Sequence, residues 1–310
     1  MSVFGAPLLL NILRGYPELP APLTPKEWAK LAVNFKFVGT SLSYKDIEFE
    51  KKEEIAHGSY GQVCLFKGGR RSVAVKLFKN MSYKENDREV ENVNLMNKID
   101  RTDPSDIASS RMAAFSIENE NGTPCIISPV YLVYKKTKKT LLEALLILQA
   151  YFRDAHEIHQ KYNLIGFDSS ANNLLISCTP TKQIVHACDY GGFSKAGRKC
   201  LSTYPSPWLP FDDNDSHSQV VCEEICVHTM FATFLFFMQH KQEKYLWHSQ
   251  ITADGGVQRA QNVLKNISKD FPQGPIRDMV RYCAVPDRAN PPTMSCFANF
   301  IDLAVQAVIP

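Results

Sequence analysis

Residues 58–78 read Gly58-Ser59-Tyr60-Gly61-Gln62-Val63-Cys64-Leu65-Phe66-Lys67-Gly68-Gly69-Arg70-Arg71-Ser72-Val73-Ala74-Val75-Lys76-Leu77-Phe78. Gln62 to Lys67 and Ser72 to Phe78 alternate, and Gly68-Gly69 lies between them. That pattern predicts an antiparallel hairpin. A second glycine turn, Gly58 to Gly61, opens it. Near the end of the second strand Lys76 follows Val73-Ala74-Val75, where an ammonium is out of place by burial preference.

Downstream, Val90, Val93 and Met96 recur at helical spacing within Glu85 to Ile99, with Glu89 beside them. Cys125-Ile126-Ile127 reads as a short buried strand ending at Ser128-Pro129, and the stretch from Pro129 to Lys136 as a hinge. Leu141 to Gln160 is amphipathic and long. Leu174 to Ser177 and Ile184 to Ala187 flank Thr179-Pro180-Thr181 as a second hairpin. The rest reads as helices, with a long irregular stretch from Gly192 to His217. Upstream, residues 1–43 form a Pro-rich extension holding one helix, capped by Thr24 with Pro25 at its first position and running through Trp28 and Leu31. Strands first and helices afterwards predict an α+β arrangement. The expected divisions are an extension at 1–43, a β-rich lobe at 44–131 and a larger helical lobe at 132–310.

A chain of 310 residues, 45% hydrophobic and 22% charged, is long enough to bury a sizeable core. Its net charge of +3 is too small to argue for nucleic acid or a membrane surface as partner, and neither is expected. The nine cysteines are scattered, with only Cys222 and Cys226 close together, so reduced thiols in an intracellular protein are expected rather than a zinc site. The apolar opening Val3 to Leu13 has no preceding Lys or Arg and makes a poor secretory signal. Ile225 to Met238 is too short to span a bilayer and contains His228. Lys135-Lys136-Thr137-Lys138-Lys139 reads as solvated surface, and His156 and His159 as packed or exposed helix residues.

Each chemically suggestive residue has a bland reading as well. Gly58 and Gly61 let backbone N–H groups approach phosphate oxygens, or make an ordinary turn. Lys76 either snorkels from an edge strand or aims its ammonium at phosphates. A carboxylate should then hold it: Glu89, with Glu91 as the other candidate. Asp168 and Asn173 enclose a loop that either caps the next element or brings a proton acceptor and a metal-binding amide oxygen to one cleft. Asp189, just after the second hairpin and before Gly191, adds a second carboxylate suited to bridging phosphates through Mg²⁺. Taken in order, these groups suit phosphoryl transfer, which asks for positioning and charge stabilisation rather than covalent chemistry.

The set resembles the signature of the eukaryotic-type protein kinases over about residues 50–300. Gly-Ser-Tyr-Gly, Ser170 where cellular kinases carry lysine, and Asp189-Tyr190-Gly191 resemble the conserved herpesviral serine/threonine kinases. The resemblance implies a bilobal kinase fold, with ATP and Mg²⁺ as cofactors and protein Ser/Thr hydroxyls as substrates. It implies Asp168 as catalytic base, Lys76 and Glu89 as its catalytic partners, and Asn173 and Asp189 as metal ligands. Ala56, which stands where the first glycine is usual, would line the nucleotide with Gly58, Ser59, Tyr60, Gly61, Val63, Ala74, Lys76, Ser128 and Val130. For a viral chain the expected location is the host nucleus or cytoplasm. Departures matter too. Gly166-Phe167 replaces His-Arg, so an activation-segment phosphate should find no arginine there. Tyr204-Pro205-Ser206-Pro207-Trp208 stands in for Ala-Pro-Glu, and Pro291 for the arginine that would pair with it, leaving Arg288 as a candidate substitute. A kinase-like phosphotransferase for nucleosides or antibiotics, and a non-catalytic scaffold, are the competing expectations.

Overall fold

The computed structural model describes residues 35–38, 41–44, 47–58, 61–69, 71–79, 84–97, 114–118, 121–133, 138–178, 183–212 and 215–309. The expected helix around Thr24 to Leu31, Ser59 and Tyr60 of the glycine turn, most of the basic run and the Thr179-Pro180-Thr181 turn lie outside these residues.

The N-terminal region is built on one seven-stranded sheet. Its strands are β1 (Phe35–Val38), β2 (Ser41–Tyr44), β3 (Ile47–His57), β4 (Gly61–Gly68), β5 (Arg71–Phe78), β6 (Phe115–Glu118) and β7 (Pro124–Ser128). They lie in the order β1-β2-β3-β4-β5-β7-β6. The hairpin pairs Gly61 with Phe78 and Gly68 with Arg71, in register throughout. Four of these strands, β1, β2, β3 and β6, go beyond those expected from the sequence. β1 and β2 belong to this sheet, so the border at residues 43 and 44 falls inside β2 and the extension does not stand apart from residue 35 onward.

Pleating gives the sheet two different faces. Directly opposite residues of an antiparallel pair share a face. Val63 pairs with Ala56 and Lys76, and Ala74 with Ser128, which puts Ala56, Val63, Ala74, Lys76 and Ser128 on one side. On the other, Cys64, Phe66, Val73, Val75, Cys125 and Ile127 join Leu42 and Phe49 in a separate hydrophobic cluster. The helix α1 (Lys84–Asn97) turns Val93 and Met96 toward Ile126 and the core of the C-terminal region instead.

The C-terminal region is mainly helical. After β8 (Leu132–Val133) comes α2 (Leu141–Tyr162), opened by a capping box between Thr140 and Glu143 and closed by Asn163 in the left-handed conformation. Then follow β9 (Ile165–Gly166), β10 (Leu174–Cys178), β11 (Gln183–Ala187) and β12 (Phe193–Ser194). The stretch expected to be irregular holds short strands: β12, β13 (Lys199–Cys200), β14 (Phe211–Asp212) and the start of β15 (Asp215–Val220). Their polar sequences offer no alternating apolar face to read. The remaining helices are α3 (Glu223–Phe237), α4 (His248–Ile251), α5 (Gly256–Ile267), α6 (Pro275–Ala284) and α7 (Met294–Gln306).

Helix α3 is buried on nearly every side, which explains why its sequence is apolar all round. His228 within it has no hydrogen-bond partner on either ring nitrogen, and burial pushes its pKa down to about 4, so it packs as a neutral ring. No described helix is long and apolar enough to cross a membrane. Cys64, Cys125, Cys188, Cys200, Cys222, Cys226, Cys283 and Cys296 are free thiols.

Candidate active site

The sheet face that carries Lys76 meets α1 and two loops of the C-terminal region. Lys76 Nζ donates to Glu89 Oε2 at 2.5 Å and to Asp189 Oδ1 at 2.9 Å. Glu89 is therefore the partner from the helix, while Glu91 is exposed. The Lys76 side chain is 19% exposed, Glu89 only 6% and Asp189 37%, so the triad runs from buried helix to open cleft. Burial alone would lower the Lys76 pKa, but the two carboxylates outweigh it and hold the ammonium charged well above its ordinary value. Burial pushes Glu89 up to about 7 against the pull of Lys76.

Asp168 and Asp189 stand on loops that pair with each other. Gly166 and Ile165 of β9 pair with Phe193 and Ser194 of β12. The N–H groups of Phe167 and Asp168 donate to the Gly192 carbonyl at 2.9 and 3.3 Å. A Cβ on Gly192 would sit 3.3 Å from the Asp168 Cβ, so the two loops touch where the second lacks a side chain. Asp189 itself is left-handed, with φ 59° and ψ 67°, a conformation Asp tolerates better than most residues. Asn173 Nδ2 donates to the Asp168 carbonyl at 2.9 Å, which leaves the amide oxygen as its free end. The Asn173 carbonyl accepts the Cys188 N–H at 3.0 Å, tying the asparagine to the residue before Asp189.

Asp168 keeps part of its side chain accessible, and its Oδ1 accepts the Thr203 N–H at 2.9 Å. Burial nevertheless pushes its pKa up to about 6, with the Thr203 bond opposing and the Asp189 charge adding to the rise. A cavity of about 40 Å³ is lined by Glu89, Asp168, Asp189 and Arg88 among others.

The glycine turn is closed by the Gly58 N–H donating to the Gly61 carbonyl at 2.9 Å. A Cβ on Gly61 would meet the Leu77 carbonyl oxygen at 2.5 Å, so this position admits only glycine without a backbone shift. Along the sheet, Ala74 and Ser128 are buried and Val63 and Val130 half-buried. Ser128 Oγ donates to the Pro129 carbonyl at 3.0 Å, so its hydroxyl is already engaged.

Three residues that sequence reasoning passed over hold the assembly together. Arg88 Nε donates to the Gly191 carbonyl at 2.8 Å, and its guanidinium lies over the Phe167 ring. Asn92 Nδ2 donates to the carbonyls of Tyr190 and Phe193 at 2.7 and 2.9 Å. Thr203 acts on Asp168 through its backbone amide. Arg88 and Asn92 sit on a helix read only for its apolar spacing and its glutamates, and a backbone donor leaves no trace in residue type. Arg288, whose partner the sequence left open, donates to the Trp208 carbonyl, and its charge lowers the pKa of Glu224 against the upward push of burial.

As potential ligands for a hard cation, the Asn173 amide oxygen and the Asp189 carboxylate are both oxygen donors, and Asp189 is half open to solvent. No group of three His, Cys, Asp or Glu side chains that could cage a metal occurs among the described residues. Two protein oxygens with the remaining positions left to phosphate and water is the usual manner of holding Mg²⁺, so these residues fit it. No protein-family model and no curated protein matches this chain.

Proposed function

We propose that the chain is an Mg-ATP-dependent serine/threonine protein kinase with a bilobal kinase fold. The carrying observation is the Lys76 ammonium held between Glu89 and Asp189, groups brought in from strand, helix and loop. A charged lysine fixed by a buried carboxylate suits a phosphate clamp, because it is oriented before substrate arrives and cannot lose its proton. Gly58 and Gly61 close the turn above it and leave backbone N–H groups approachable. Ala56, Val63, Ala74, Ser128 and Val130 would form the wall against the base of the nucleotide.

Asn173 and Asp189 would hold the magnesium ion, which supplies charge neutralisation for the triphosphate when bound. Asp168 accepts the proton of the attacking hydroxyl. A carboxyl near 6 is ionised at neutral pH yet basic enough to take that proton. Thr203 orients one of its oxygens. Ser170, where a lysine is usual in cellular kinases, is buried at 5% exposure and its carbonyl accepts the Asn173 N–H, so it serves the loop's conformation. The cation whose charge is felt at Asp168 is instead Arg88.

The test is transfer of label from γ-labelled ATP in the presence of magnesium. It uses generic acceptor proteins in one arm and nucleosides in the other, with the acceptor atom mapped by mass spectrometry. Labelled Ser or Thr, lost in Asp168→Ala, supports the proposal. Labelled nucleoside alone would favour a small-molecule phosphotransferase. Failure to bind Mg-ATP in a thermal-shift assay would leave a scaffold.

A further inference from the structure

The loop from Asp168 to Asn173 is held carbonyl by carbonyl. The Asp168 carbonyl accepts the Ser170 N–H at 3.1 Å and Asn173 Nδ2 at 2.9 Å. The Ser170 carbonyl accepts the Asn173 N–H at 3.0 Å, and the Tyr151 hydroxyl of α2 donates to it at 3.4 Å. Between them, the Ser169 carbonyl has one donor among the described residues, the Thr233 hydroxyl of α3.

Thr233 and Tyr151 are buried, and so are Ser169 and Ser170. A backbone carbonyl in such surroundings is costly to leave unpaired. The direction the Thr233 hydroxyl takes is informative. A helical threonine ordinarily bonds back to a carbonyl three or four residues upstream, as Thr229 does to the Cys226 carbonyl at 3.1 Å. One turn further along the same helix, Thr233 gives its proton to the loop instead. Gly166 makes room for this packing, since a Cβ there would come within 3.1 Å of Ser169 Oγ.

We propose that Thr233 is a positioning residue for phosphoryl transfer, with Tyr151 as its companion. From the buried helices α3 and α2, their hydroxyls fix the carbonyls of Ser169 and Ser170 and so set the spacing of Asp168 and Asn173. Neither side chain touches the reacting atoms. The peptide group whose carbonyl Thr233 holds also carries the Ser170 N–H, which donates to the Asp168 carbonyl. Without the Thr233 hydroxyl, rotation of that peptide is the local way to re-pair the Ser169 oxygen, and it breaks the Ser170 bond to Asp168. The same Asp168 carbonyl anchors Asn173 Nδ2, so the proton acceptor and the metal-binding amide shift together. Lys76 and the glycine turn stand on other elements, which leaves nucleotide binding largely untouched. The inference rests on the kinase reading and names a residue that reading does not include.

Steady-state transfer from γ-labelled ATP to an acceptor protein tests it, with the full chain, saturating magnesium and a temperature well below each variant's Tm. Thr233→Val keeps nearly the same shape and deletes the hydroxyl, whereas Thr233→Ser keeps the hydroxyl. In Thr233→Val, kcat should fall about tenfold or more while the KM for ATP stays within about twofold, and Thr233→Ser should recover most of the rate. A structural role alone would leave the rate per folded molecule unchanged. Tyr151→Phe deletes a single oxygen at the longer bond and should lower kcat about threefold, again without moving KM. It carries the test if Thr233→Val does not fold. A wild-type kcat in Thr233→Val, or in Tyr151→Phe where the valine variant is unfolded, overturns the proposal. So does a Thr233→Ser variant as slow as Thr233→Val, or a KM that rises in step with the loss of kcat. Absence of transfer in the wild type is a different result, which removes the kinase reading and this inference with it.

Discussion

The guanidinium of Arg88 lies 4.9 Å from the centre of the Phe167 ring, stacking a helix cation on the residue directly before Asp168. The same side chain donates to the Gly191 carbonyl, two residues beyond Asp189. One arginine thus connects the helix of Glu89, the loop of Asp168 and the turn of Asp189. An exposed charge would be worth little here. A half-buried one stacked on an aromatic face and hydrogen-bonded to a carbonyl is worth roughly 1–3 kcal/mol.

Arg88→Ala should therefore destabilise the protein by about that amount and reduce phosphoryl transfer. Removing a positive charge near Asp168 should also move the acid side of the pH–rate profile upward, since Arg88 holds that carboxyl down. Arg88→Lys should restore part of the stability through stacking but not the bond geometry to Gly191. Chemical denaturation alongside a pH–rate profile separates the two effects. An unmoved acid limb in Arg88→Ala would mean the arginine is structural only.

Asp168 gives the pH dependence a definite sign. Its carboxyl keeps a proton up to about 6 in the folded protein, against 3.8 as its ordinary value. Activity that needs the ionised form should rise about tenfold per pH unit below that point and level off above it. Stability runs the other way. The folded state holds the proton more tightly than the unfolded chain, so ionised Asp168 costs stability above about 6. That cost fades as pH falls through the folded value towards 3.8. Asp168→Asn should abolish transfer yet gain on the order of 1 kcal/mol at pH above 7, a gain absent near pH 4. Thermal melts of both proteins across that range check it.

The sequence made the hairpin at Gly61 to Phe78 legible because period-two alternation and a Gly-Gly turn coincide there. The ionisable trio was legible for a related reason: Lys76 and Asp189 follow apolar strands, where charge needs a purpose. Strands β1 and β2 also alternate, with Phe35 and Phe37 flanking Lys36, but a neighbourhood classified by its prolines hid the pattern. β15, Asp215–Val220, could not have been read from apolar spacing, since backbone pairing rather than a hydrophobic face secures it. Arg88 and Thr203 owe their positions to partners about a hundred and 35 residues away in the chain, beyond the reach of any local pattern.

Gly61 tests the glycine turn without touching a charged group. A methyl group there would press on the Leu77 carbonyl oxygen at 2.5 Å, and that carbonyl is backbone, unable to swing aside. Gly61→Ala should pry β4 from β5 next to Lys76, costing about 1–3 kcal/mol and raising the KM for ATP more than it lowers kcat. Gly69→Ala is the control for a turn residue with open space around it, although its φ of 58° adds some strain. Equal KM values in Gly61→Ala and wild type would remove the turn from the nucleotide site.

Phe167 is 2% exposed and offers nothing to a phosphate. Activity should therefore persist when the segment from Cys200 to Trp208 carries no phosphate. Exhaustive phosphatase treatment, verified by mass spectrometry, should leave the rate within about twofold of the untreated protein. A collapse of activity on removing a phosphate from Ser202, Thr203 or Tyr204 would show that another cation reads it.

Lys76→Met should abolish transfer, by about a hundredfold or more, because among the described residues the group fixed between Glu89 and Asp189 is the only cation bonded to either. Its effect on stability depends on pH. With the ammonium gone, two carboxylates face each other, one of them nearly fully buried. An uncompensated buried charge costs about 3–5 kcal/mol. Glu89 avoids that cost by taking a proton, which burial already favours at about 7 even with lysine present. The variant should thus approach wild-type stability at pH about 5, where Glu89 is neutral, and fall progressively behind as pH rises past about 8. Denaturant titrations at both pH values measure the difference. A deficit independent of pH would mean that Glu89 is ionised throughout and that solvent, rather than Lys76, satisfies it.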